Sequence, residues 1–190
     1  MRLVLTQHGT STLVRGLEPE DEPAVLALFD DCAEWFEFAT GQPSGPGDVQ
    51  SLYYALPPGC DPAQKLLLVA ETDRRISAVV DVVLDYPTVG ECFVGAFLVA
   101  PGQRGRGFGS ALVKALITEA GRHGVAAVRT TVTDRWESRL RFLESCGFQT
   151  SCTAALPGGN RNLGARERPV RVARLDLAVD VPASAKSDLE

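Results

Sequence analysis

Apolar and polar positions follow two rhythms along this chain. Three runs, KLLLVAE (65–71), ISAVVDVVLDYP (76–87) and ECFVGAFLVAP (91–101), are almost continuously apolar, which predicts buried strands. The TDRR turn after the first run predicts an antiparallel hairpin. STLVRGL (11–17), VAAVRTTVTD (125–134), FQTSCTAAL (148–156) and VRVARLDLAVD (170–180) have the β-branched character of further strands. Elsewhere the spacing is helical. Val25, Leu28, Phe29, Cys32 and Phe36 mark one helix that begins after Pro19 and stops at Gly41. DVQSLYYAL (48–56) predicts a short helix. Phe108, Ala111, Leu112, Ala115 and Leu116 share one face of a helix over 107–122, and WESRLRFLESC (136–146) predicts another, stopped by Gly147.

This element order predicts an α/β fold. It has a mixed, mostly antiparallel sheet of about seven strands, about four helices, and one β-α-β crossover. Residues 1–11 are expected as a flexible leader, 12–180 as a single domain, and 181–190 as a flexible tail. Composition narrows the compartment. No apolar run reaches the roughly 18 residues of a membrane helix, and the start of the chain lacks the length of a secretory signal. The five cysteines form no Cys-x-x-Cys pair, as expected of free thiols in a reducing cytoplasm. His8 and His123 stand far from any cysteine pair, so no metal is expected. Charge is unevenly spread. Ten acids face two arginines up to residue 64, whereas fourteen bases face nine acids after residue 100. The second half therefore suits an anion and the first a cation. The net charge of −5 argues against a nucleic-acid partner.

Gln103 to Ser110 reads QRGRGFGS, between a strand-like and a helix-like run. A helix start leaves backbone N–H groups unpaired, glycines let a ligand approach them, and Arg104 and Arg106 add charge. That combination suits a phosphate or pyrophosphate. No Gly-x-x-x-x-Gly-Lys-Ser/Thr pattern is present. A dinucleotide fold is disfavoured too, because Ser110 follows Gly109 and the loop lies mid-chain after antiparallel strands.

Arg104-Gly105-Arg106-Gly107-Phe108-Gly109 matches the Gln/Arg-x-x-Gly-x-Gly/Ala coenzyme A clamp. Its context is a strand ending LVAP, the loop, an amphipathic helix, a strand, a short helix, then Cys-Gly-Phe. Residues 65–155 in this way resemble the GNAT acetyltransferases. The resemblance implies a GNAT acyl-CoA N-acyltransferase fold whose fourth strand (91–101) splays from its fifth (125–134). It implies acetyl-CoA as donor, with backbone bonds from Leu98 and Val99 to the pantetheine. Amides from Arg104, Gly105, Arg106, Gly107, Phe108 and Gly109, with Ser110, would hold the pyrophosphate. The acceptor would be a primary amine of a small molecule or a protein, attacked directly in a ternary complex.

The family's helix pattern Asn-x-x-Ala-x-x-Phe-Tyr, aligned on Gly147-Phe148, meets Trp136, Arg139, Phe142 and Leu143 here. The usual tyrosine acid is thus Leu143, and Cys146 is the nearest proton donor. Glu91 is the candidate base, two residues before the family's glutamate position at Phe93, with Asp81 and Asp85 as alternatives. Glu34, Phe38, Asp85 and Tyr86 are the candidate substrate contacts, since acid beside aromatic suits a cationic amine. The loop at 157–169 is a candidate cleft cover. The missing tyrosine leaves a rival reading open: a non-catalytic acyl-CoA-binding sensor. A homodimer formed through an edge at the last strand is a further expectation.

Overall fold

The computed structural model describes residues 1–39, 41–133, 137–151 and 170–178. The apolar runs become β3 (Lys65–Thr72), β4 (Arg75–Leu84) and β5 (Glu91–Val99). Asp73 and Arg74 both take positive φ, 49° and 61°, between β3 and β4. This two-residue primed turn matches the twist of the strands it joins. β4 is buried on both faces, which explains its unbroken apolar run.

Residues 2–7 are not a loose leader. They form β1 (Arg2–Gln7), paired with β2 (Thr10–Gly16) across a turn in which His8 and Gly9 have φ of 49° and 78°. Leu3 and Leu5 pack against the core while Val4 faces solvent. Three adjacent apolar residues in the sequence conceal that period of two.

The expected helix over 20–40 is two helices, α1 (Glu22–Asp31) and α2 (Ala33–Ala39). The break falls at Cys32 and allows Phe36 to settle on Phe29, with ring centroids 4.7 Å apart. α3 (Pro46–Tyr54), α4 (Phe108–Arg122), β6 (Ala127–Thr133), α5 (Glu137–Ser145), β7 (Gln149–Ser151) and β8 (Val170–Asp176) follow. The described residues thus hold eight strands and five α-helices. The last five residues of the run at 148–156, the loop at 157–169 and the tail lie outside them.

The sheet order is β1-β2-β3-β4-β5-β6-β8-β7, antiparallel except for β5 and β6. The last strand therefore inserts between β6 and β7, and among the described residues it is not the sheet edge on which a dimer was expected. α4 covers one face, burying Phe108 and Leu112 against Val14, Leu68, Ala78 and Val80. The opposite face packs α1 to α3 through Val25, Leu28, Phe29 and Val49 onto Val69, Val79 and Leu98. No helix among the described residues is long and apolar enough to cross a membrane.

Candidate functional site

β5 and β6 pair over only four residues, Glu91–Val94 against Ala127–Thr130. The Thr130 hydroxyl donates to the Val94 carbonyl at 2.9 Å where pairing ends. Gly95 is the extra residue of a bulge opposite Asp81 and Val82, which bends β5 away from its neighbour. The resulting gap between Gly95–Val99 and Thr131–Val132 belongs to a cavity of about 1120 Å³. This is the splay expected between strands 91–101 and 125–134.

Strand alternation decides which backbone groups face the gap. Ala100 N donates to Ser77 O on the β4 side. Leu98, two residues earlier, also turns its peptide groups to β4, whereas Phe97 and Val99 face the gap. Of the candidate pair Leu98 and Val99, only Val99 turns its peptide groups to the gap, and Phe97 does so with it.

The gap leads to the start of α4. Gly107 is the N-cap residue, left-handed at φ 80°, and no side chain caps the helix. The first helical bond runs from Ala111 N to Gly107 O, which leaves the earlier N–H groups without helical partners. Gly105, Gly107, Gly109 and Ser110 all line the cavity. A Cβ on Gly109 would stand 3.4 Å from the Phe142 ring and 3.9 Å from Phe97. Those two rings stack at 6.0 Å and seat α5 against the helix start.

The two arginines behave differently from the expectation that both serve an anion. Arg104 turns back from the loop: Nε donates to Val99 O at 2.7 Å, one amino group meets Glu34, and the other lies 3.0 Å from Cys32 Sγ. It fastens the end of β5 to the α1–α2 junction. Arg106 is exposed, and its carbonyl accepts from Gln7 Nε2 at 3.2 Å. Arg139 from α5 lines the cavity. Burial, with Arg104 nearby, pulls its pKa down to about 10, so it stays charged.

The candidate catalytic and substrate residues do not converge. Glu91 sits at the closed end of the gap. It accepts from Arg129 Nε at 2.7 Å and from an Arg174 amino group at 2.6 Å. Those hydrogen bonds, the Arg129 one foremost, hold its carboxyl below the usual range despite opposing desolvation. A carboxylate so stabilised is a poor proton acceptor. Asp85 Oδ1 accepts from Gly90 N at 2.8 Å and closes the β4–β5 turn, while Tyr86 packs edge-on against Phe93. Glu34 lies with Arg104 at the other end of the nine-residue β5, roughly 25 Å away by strand rise. Phe38 lies on α2, with its side chain outside the described residues. Leu143 and Cys146 pack against the α4 core, and Trp136 lies outside the described residues. Among the described residues no three potential ligands group around a metal position.

Glu91 thus acts as a clamp between β5, β6 and β8. Glu91→Gln is expected to cost about 2 kcal/mol at neutral pH, read by denaturant unfolding. The sign follows from its lowered folded pKa. Its contribution is complete above the unfolded carboxylate value and fades as pH falls through the folded one. The difference between wild type and variant should therefore close in acid.

Asp81 differs from every other carboxylate described. It is only 8% exposed, in the middle of β4 beside the bulge where β5 leaves β6. Oδ2 accepts from Lys65 Nζ at 2.9 Å. Oδ1 lies 2.8 Å from the same nitrogen but outside hydrogen-bond geometry, and has no other described partner. Lys65 Nζ also donates to Ala55 O at 2.6 Å. Burial raises the Asp81 pKa, with Lys65 pulling the other way. A Cβ on Gly95 would meet Asp81 Oδ2 at 3.1 Å, so the bulge residue must be small.

The chain belongs to the GNAT acetyltransferases: the profile described as "Acetyltransferase (GNAT) family" matches residues 29–148. Its fold resembles the GNAT domain of S. lividans PAT at TM-score 0.66 and 18% identity, over 93% of this chain and 97% of that one. An acetyltransferase from Thermus thermophilus aligns at TM-score 0.67 and 16% identity, over 87% and 97%. A ribosomal-protein-alanine N-acetyltransferase from Brucella melitensis aligns at 0.62 and 19%, over 86% and 99%. No curated protein matches the sequence.

Proposed function

We propose that this protein transfers an acetyl group from acetyl-CoA to a primary amine of a small molecule or protein. The observation that carries the reading is the gap beyond Val94 and Thr130, which runs to the uncapped start of α4. A pantetheine arm fits there as a surrogate strand, bonded by the backbone of Phe97 and the N–H of Val99, whose carbonyl accepts from Arg104 Nε. The amides from Gly105 to Ser110 face its pyrophosphate. Arg104 contributes through its backbone, with its charge committed to Glu34.

The transfer needs no covalent intermediate. The neutral amine attacks the thioester carbonyl, the C–N bond forms, and the C–S bond breaks as the thiolate leaves. The amine loses one proton, which we assign to Asp81, and the thiolate takes one from solvent. A thiol pKa near 8.5 makes that last step undemanding.

Leu143 at the tyrosine position and the ion-locked Glu91 favour a second reading, an acyl-CoA-binding sensor without turnover. One experiment separates the two. Thiol release is followed with acetyl-CoA and a broad panel of amines, alongside calorimetric binding of coenzyme A. Turnover with any amine supports the enzyme. Binding without turnover across the panel supports the sensor, and failure to bind rejects both.

A further inference from the structure

Gln7 ends β1, outside the stretch of chain that the family profile matches. The His8–Gly9 turn and the pairing of Gln7 with Thr10 fix its place at the sheet edge. From there Nε2 donates to the Arg106 carbonyl at 3.2 Å. The same nitrogen lies so near Gly107 that a Cβ there would stand 3.1 Å from it.

This contact governs more than one carbonyl. The Arg106–Gly107 peptide is trans, the only cis bond described being Tyr86–Pro87. In a planar trans peptide the carbonyl and the N–H point in opposite directions. Holding the Arg106 oxygen toward β1 therefore holds the Gly107 N–H away from Gln7, and Gly107 itself lines the cavity. A left-handed glycine flips its flanking peptides at little steric cost, so the loop's own sequence does not enforce this orientation. The amide of Gln7 does.

We propose that Gln7 is a positioning residue that presets the Gly107 amide for the pyrophosphate of the acyl donor. The inference rests on the coenzyme reading above. It adds that the β1–β2 hairpin tunes coenzyme affinity from outside the stretch that the family profile matches.

The test uses the full chain and two variants, Gln7→Met, similar in length but without a donor, and Gln7→Glu, similar in shape but with an acceptor facing a carbonyl. Coenzyme A affinity is measured by calorimetry. Pantetheine, which lacks the pyrophosphate, is titrated by amide chemical shifts, which tolerate weak binding. Coenzyme A affinity should fall about fivefold in Gln7→Met, the worth of one hydrogen bond, and further in Gln7→Glu. Pantetheine affinity should be unchanged in both. Unaltered coenzyme A affinity overturns the proposal, and so does an equal loss for both ligands, which marks general loosening. Wild type that binds neither ligand removes the coenzyme reading, and this inference with it.

Discussion

Gly107→Glu is expected to lower the proposed coenzyme A affinity by at least about a hundredfold, close to 3 kcal/mol, while keeping its fold. Three effects act together. The left-handed backbone at φ 80° costs an L-residue about 1–2 kcal/mol. Its Cβ crowds Gln7. Its carboxylate then occupies the partial positive charge that the helix start offers an anionic ligand. That last interaction favours the folded protein, so the circular dichroism spectrum should match wild type. Gly107→Asn separates the causes, because asparagine tolerates the left-handed region and carries no charge. It should bind measurably, between wild type and Gly107→Glu. Calorimetry that finds Gly107→Glu within threefold of wild type removes the loop from the binding site.

Asp81→Asn lowers kcat by about a hundredfold or more, the usual contribution of a positioned base. The pH profile is the sharper signature. Burial raises the Asp81 pKa while Lys65 opposes it, so as the proposed base Asp81 would be protonated and idle below its folded pKa and active above it. The wild-type rate should climb through an acidic limb that Asp81→Asn lacks. Lys65→Met removes the cation that opposes the shift, so the limb should move to higher pH. A stability control is needed because Asp81→Asn leaves Lys65, whose side chain is 6% exposed, without its counter-ion. Stranding a buried charge costs about 3 kcal/mol. The double variant Lys65→Met/Asp81→Asn discards both charges. It should regain stability but not rate. Recovery of rate in the double variant, or an unchanged acidic limb in Asp81→Asn, excludes Asp81 as the proton acceptor.

Local rules carried much of this molecule. Continuous apolar runs marked β3, β4 and β5 because both of their faces are covered, and the glycines of QRGRGFGS marked the left-handed turn that opens α4. What escaped was set by contacts distant in sequence. The partners of Glu91 come from β6 and β8, and nothing around residue 91 announces Arg129 or Arg174. Arg104 reads as a free cation until α2 is folded beside it and supplies Glu34. Cys32 breaks the helical run although no glycine or proline stands between Ala24 and Ala39, since the aromatic packing that it permits is tertiary. Asp81 was visible as the one charge inside AVVDVVL. Its neighbours Lys65 and Gly95 depend on strand register, which no single strand specifies.

The short contact between β5 and β6 also divides this sheet. β4 and β5 are registered over seven residue pairs, and β6 and β8 over seven, but β5 and β6 over only four. The sheet is thus two leaves sharing a brief spine at Glu91–Val94. Beyond Gly95 the two leaves face each other with no strand pairing between them among the described residues.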